Sequence, residues 1–337
     1  MSGPEPGLGV DASEEARAGR SEMLRNNVPY IAIVLVVLLF TIVSGDRFLS
    51  VRNWTFIAQQ TPVLLLLAYA QLIVVTTGSI DISVGSSLGF SMYMAVLGMV
   101  WLGPAGIVCG ILAATLIGFV NGSIFSLLKI SSFVTTLAML IIVRALLNII
   151  SDGGSIYVTE QAATGTYVDS VAAPWLLALG RFPNILIFAL VVTALMWVFY
   201  EKTLFGQQLK ALGGSERVLS LFGVSVTWFK IQVFVAAGFM VGLASLISLG
   251  RSGAGTPRAG EQFELDAIAA VALGGTPLTG GHGSVLRTVV GALTLTVVAN
   301  GLTIAGVDPS WSRVARGVLL IIAIAISLNR RRIGVVK

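Results

Sequence analysis

The chain has 337 residues, of which 55% are hydrophobic and 11% charged, and its mean hydropathy is +0.92. Soluble domains carry roughly 25% charged residues, so little of this chain can face water and a soluble enzyme fold is excluded. The formal charge of +5 would suggest a nucleic-acid or anionic-surface partner in a soluble protein. Here membrane topology accounts for the arginines, and no nucleic-acid partner is expected. The single cysteine, Cys109, lies in an apolar stretch, which excludes an internal disulfide and a cysteine-rich metal site.

Residues 1 to 27 are small, polar and acidic (Glu5, Asp11, Glu14, Glu15, Glu22), unlike the cationic start of a signal peptide. They read as a disordered cytoplasmic tail ahead of an uncleaved first span. A bilayer helix needs about 20 consecutive apolar residues. Asp, Glu, Lys and Arg are absent from 26 to 45, 53 to 80, 82 to 128, 182 to 200, 231 to 250, 267 to 286 and 288 to 307. The third run is long enough for two crossings.

Allowing isolated arginines adds a span at 132 to 150, interrupted by Arg144, and one at 311 to 329, where Arg313 and Arg316 can snorkel. The expected fold is therefore all-α: a polytopic transmembrane bundle of about ten spans. These are 28–45, 57–77, 84–102, 105–128, 132–150, 183–200, 231–250, 262–275, 284–304 and 311–329. The membrane domain covers 28–329, and a short basic tail, 330–337, comes after it. The segment 262–275 ends at Gly274, Gly275 and Pro277, which predicts a short or broken crossing shielded from lipid by protein.

Lysine and arginine placement orients the bundle, because short cytoplasmic loops carry the excess. With the N-terminus inside, thirteen fall inside and seven outside, Arg144 being within a span. Both termini are then cytoplasmic, the 151 to 182 connection is external, and the 201 to 230 connection is internal.

A weak internal repeat is visible. Asn121-Gly122 and Asn300-Gly301 each stand near the end of a span, and upstream of them lie Ile80-Asp81 and Leu265-Asp266. The topology makes the two units inverted, a transporter device. Pairs of glycines four apart (Gly85 and Gly89, Gly118 and Gly122, Gly238 and Gly242) let helix backbones approach closely.

Catalytic constellations are missing. The one histidine, His282, stands in GGHGS (280–284) and reads as a solvated loop residue. No metal site and no cofactor are expected. No GxxxxGK[ST] loop occurs, so any ATP-driven work needs another chain.

Four runs resemble one family: TGSIDISVGSS (77–87), NGSIFSLLKISSFVTTLAMLIIVRAL (121–146), KALGGSERVLSLFGVSV (210–226) and GEQFELDAIAAVALGGTPLTGGHGSVL (260–286). Together they look like the permease subunits of bacterial ABC importers for ribose and related sugars. The resemblance covers most of residues 50 to 330, leaving out the acidic tail and the 151 to 182 loop. It implies a cytoplasmic ABC ATPase subunit, an extracytoplasmic sugar-binding protein, and a second permease copy or sister permease as partners, and the bacterial plasma (inner) membrane as the location. It also implies that the 201 to 230 connection holds a coupling helix, with Lys210, Ala211, Leu212, Gly213, Gly214 and Glu216 as candidates. There Leu209, Leu212, Leu219 and Leu221 would present apolar knobs while Lys210, Glu216 and Arg217 stay solvated.

Asp81 and Asp266 are expected to cap helical segments, with Ser83 and Gly85 shaping the turn after Asp81 and Glu264 beside Asp266. Direct contact with a transported solute is the minor alternative for these residues. Arg144 needs a partner, cavity or interface, and helix-end carbonyls or a carboxylate suit its donors. Two other functions compete with the permease reading. A secondary transporter for a small polar solute would more often show several intramembrane carboxylates, and a membrane enzyme would need clustered catalytic groups at one interface.

Overall fold

The computed structural model describes residues 12–159 and 170–327. The first eleven residues and the basic tail lie outside these. Helix α1 spans Ala12–Ser44 without a break at residue 28, so the expected boundary between tail and first span is not marked by a change of backbone. A short helix α2 (Asp46–Leu49) leads to Ser50, whose hydroxyl accepts the Asn53 N–H at 3.3 Å and caps α3 (Val51–Thr76). That cap starts the helix six residues before the expected span.

Next come α4 (Val84–Leu102), a single 3-10 turn, α5 (Val108–Leu127) and α6 (Ser132–Ser151). After α6 the chain forms strand β1 (Ile156–Thr159), strand β2 (Ser170–Ala172) and helix α7 (Pro174–Leu179). Then come α8 (Asn184–Lys202), α9 (Leu204–Gly214), α10 (Glu216–Leu221) and α11 (Val226–Ser252). Strand β3 (Ala254–Gly255), α12 (Phe263–Leu273), α13 (Val285–Ile304) and α14 (Pro309–Ser327) complete the described chain.

The helical bundle fits the all-α expectation, and three short strands, of four, three and two residues, add a small sheet in the order β2-β1-β3. β1 runs parallel to β2, with Val158 opposite Val171, and antiparallel to β3, with Ile156 opposite Gly255. The sheet ties the connection after α6 to the turn after α11.

Seven helical segments among the described residues are long and apolar enough to cross a membrane, and one of these, Val84–Leu127, contains both α4 and α5. Helix α12 has only 11 residues, about 16 Å at 1.5 Å per residue against a core of about 30 Å. Every residue from Ala267 to Ala272 in it is buried, so protein shields it from lipid.

Helix α3 forms the centre, with an unbroken buried run from Thr61 to Thr76. Helix α11 packs against it, and α5 packs on α11 through the glycines that the four-residue spacing singled out. A methyl group added at Gly118 would overlap the Phe234 carbonyl, and one at Gly238 would sit 2.5 Å from the Ala114 carbonyl. At Gly122 and Gly242 it would lie 2.8 Å from Ile231 Cα and Ile111 Cα. Lipid tails are as apolar as leucine, so helices associate there through such close packing and not through water exclusion. In the same way Gly85 and Gly89 of α4 lie against the backbone of Gly260 and Ala259, just before α12.

Candidate functional site

The polar residues of interest fall into three groups. The first surrounds the turn between α3 and α4. Asp81 is 4% exposed, and its Oδ1 accepts from the Ser83 N–H at 2.8 Å and the Ser83 hydroxyl at 2.6 Å. The Ser83 hydroxyl in turn accepts from Asn121 Nδ2 of α5 at 2.8 Å, and Gln71 Nε2 of α3 donates to the Asp81 carbonyl. From α6, the Thr136 hydroxyl accepts the Ile82 N–H at 3.1 Å and Ser132 accepts the Ile80 N–H at 3.2 Å. Asp81 therefore satisfies the amide two residues on, which orders the approach to α4, while Ser83 holds the N-cap position without a side-chain cap. Asn121, singled out in the sequence only as part of a repeat, belongs to this network.

The second group joins α6 to the turn before α12. Arg144 Nη1 donates to the Ala259 carbonyl at 2.7 Å and the Pro257 carbonyl at 3.2 Å. Both carbonyls belong to the turn at the break between β3 and α12. Glu264, in the first turn of α12, sits against Gly85, whose missing side chain makes the room.

The third group lies between α12 and α14. Asp266 is expected to cap a helix, yet its Oδ2 lies 3.1 Å from Arg316 Nη1. The N-cap of α12 is Gln262, which makes no side-chain cap bond. Arg316, expected to snorkel toward the interface, finds a carboxylate within the bundle instead. A cavity of about 200 Å³ lined by Gln60, Arg251, Asp266, Thr296 and Arg316 adjoins the pair.

Helices α9 and α10 lie at the end of the bundle where α8 closes, with α9 against the end of α3. The Thr203 hydroxyl accepts the Gly206 N–H at 3.3 Å and starts α9. Leu209, Leu212 and Leu219 are buried in the bundle's own core, so three of the four expected knobs face inward. The segment is amphipathic, but its apolar stripe is spent on the bundle. Lys210 is not free in solvent, since its Nζ lies 2.6 Å from Glu201 Oε2 and 4.6 Å above the Tyr200 ring. Glu216 pairs with Lys230 at 2.6 Å. Gly213 is turned toward the backbone of Thr76 and Gly281, whereas Gly214 has open space around it. Ala211 is half-buried. What projects from this end is Leu221 (79% exposed) and Phe222 (78% exposed), with Val218 beside them. Phe222 escapes a sequence reading because it comes after the periodic stretch and precedes a glycine turn.

Among the described residues no group of three or more His, Cys, Asp or Glu could hold a metal ion. His282 is exposed, and Cys109 is a free, partly buried thiol.

Seven apolar helical segments of membrane-spanning length, packed into one bundle, define a multi-pass membrane protein. The family model described as "branched-chain amino acid transport system / permease component" matches residues 53–324, and the chain belongs to that family. The chain is 30% identical to the ribose import permease protein of Bacillus subtilis over 323 residues, 95% of this chain and 97% of the relative. It is 30% identical to the fructose import permease protein of Rhizobium meliloti, over 91% of this chain and 86% of that protein. It is 31% identical to the galactose/methyl galactoside import permease protein of Escherichia coli, over 88% and 92%. No solved structure matches.

Proposed function

We propose that this chain is the membrane-spanning subunit of an ABC importer that carries a sugar or related small polar solute inward, with ATP hydrolysed by a separate cytoplasmic subunit. The observation that carries the proposal is the alignment, over 88 to 95% of the chain, with import permeases named for ribose, fructose and galactose. The partners are an ATPase docked at α9 and α10, an extracytoplasmic binding protein that selects the solute, and a second permease copy or a sister permease. Exposed Leu221 and Phe222 supply the apolar docking contact.

Ten crossings result if α4 and α5 are counted separately and α12 and α14 are added, with both termini cytoplasmic. The units α3 to α6 and α11 to α14 act as inverted repeats on this reading. The packing of α4 on α6 matches that of α12 on α14, and the packing of α4 on α11 matches that of α12 on α3. Co-expression with the ATPase and binding protein, followed by reconstitution in vesicles, tests the function. Uptake should require ATP and survive collapse of the proton and sodium gradients. Gradient-driven uptake without ATP would assign the chain to the secondary transporters instead.

A further inference from the structure

We infer that α9 acts on both halves of the bundle through one shared backbone contact, with Gly213 and Tyr200 as the positioning residues that make that contact stiff. Two connections meet at this end of the molecule. One comes after α3 (76–83) and leads into α4, and the other comes after α12 (274–284) and leads into α13. They are joined directly, the Gly281 N–H donating to the Thr76 carbonyl at 2.9 Å.

Gly213, in the last turn of α9, sits on that hydrogen bond. A methyl group at Gly213 would overlap both the Thr76 carbonyl oxygen and the Gly281 nitrogen. The helix backbone thus touches the acceptor of one connection and the donor of the other at once. Only glycine allows this approach, and no side chain intervenes that could swing aside and absorb a displacement.

Tyr200 braces the same point from the end of α8. It is fully buried, and its hydroxyl lies 2.8 Å from the Thr76 hydroxyl. On the other side a methyl at Gly283 would lie only 2.6 Å from the Tyr200 oxygen. Lys210 of α9 holds the face of the Tyr200 ring and the Glu201 carboxylate, fixing α9 to the end of α8. A shift of α9 is therefore passed to the turn holding Asp81 and to the turn preceding α13 together.

This rests on the reading that an ATPase pushes on α9 and α10, and the test separates the two. Gly213→Ala forces the helix off the two connections, and Tyr200→Phe removes only the hydroxyl tie while keeping the ring. In the reconstituted complex each variant should retain the ATPase yet lower solute moved per ATP hydrolysed, by about tenfold for Gly213→Ala. An unchanged ratio in both assembled variants would overturn the inference. Hydrogen exchange on the purified chain alone needs no ATPase. Gly213→Ala should speed exchange in 76–83 and 274–284 together, and acceleration in only one of them would overturn the shared contact. A wild-type chain that binds no ATPase, with a Gly213→Ala variant that shows the paired acceleration, would refute the transport assignment and leave the shared contact standing.

Discussion

Arg316 of α14 lies 3.1 Å from Asp266 of α12, so the short helix α12 is held to the last helix of the described chain by an ion pair. Both side chains are mostly buried, and removing one partner leaves the other charge uncompensated at low dielectric. Arg316→Met alone should destabilise the folded protein by about 3 kcal/mol, and adding Asp266→Leu should restore much of the loss. Thermal melts of the two single variants and the double variant measure the coupling. Simple additivity would show that the pair is not holding the helices.

Arg144 supplies two charge-assisted bonds to carbonyls of the turn before α12. Arg144→Leu should cost about 3 kcal/mol and lower the yield of monodisperse protein. Arg144→Lys should recover part of it, since one ammonium cannot reproduce the planar fork. A leucine variant with wild-type yield and melting temperature, defective only in uptake, would move Arg144 into the solute pathway.

Burial separates two classes of leucine in α9 and α10. Leu212→Asp puts a charge into the core and should abolish folded protein, because Leu212 is 3% exposed. Leu221→Asp with Phe222→Asp should leave folding intact and lose the ATPase on co-purification. Retention of the ATPase by the latter variant would relocate the docking surface.

Sidedness can be read by labelling in a Cys109→Ala background. Single cysteines at exposed Tyr157 of β1 and exposed Ser215, between α9 and α10, should react with an impermeant maleimide from opposite faces of the membrane. Reaction from one and the same face would reject the proposed topology.

The start of α14 carries a pH dependence. Asp308 precedes the helix, and its Oδ1 accepts the Ser310 N–H at 2.7 Å, a bond that holds the carboxyl below the usual aspartate range. A depressed folded-state value means that the cap's stabilisation is present above the unfolded pKa of about 3.9 and is lost as pH falls through the folded value. Carboxyl chemical shifts should place the Asp308 midpoint below that of an unstructured aspartate. Asp308→Asn should remove the acid-dependent loosening of the first turn, and a midpoint at or above the unstructured value would contradict the cap.

The seven long apolar helical segments were legible in the sequence because lipid leaves so few alternatives. A backbone that cannot hydrogen-bond to its surroundings must form long apolar helices, and charge-free runs mark them. The paired glycines of α5 and α11 were readable for the same reason. Partners distant in sequence were not. Arg144 meets Pro257 and Ala259 across more than a hundred residues, and nothing local to Arg144 names those carbonyls. For Asp266 the local rule favoured capping, and a tertiary arginine took precedence. The leucines of α9 show the limit of periodicity: an apolar stripe says that one face is covered and does not say by what. The small sheet escaped notice because its strands have two to four residues, too few for an alternating pattern.

The brevity of α12 bears on how the protein is made. Eleven residues reach only about half way across a hydrocarbon core of about 30 Å, so this helix cannot span a bilayer unaided. Its polar end is accommodated by Arg316 and its apolar face by α13, and both are synthesised later. The contacts that hold this stretch are therefore complete only after α13 and α14 have been synthesised.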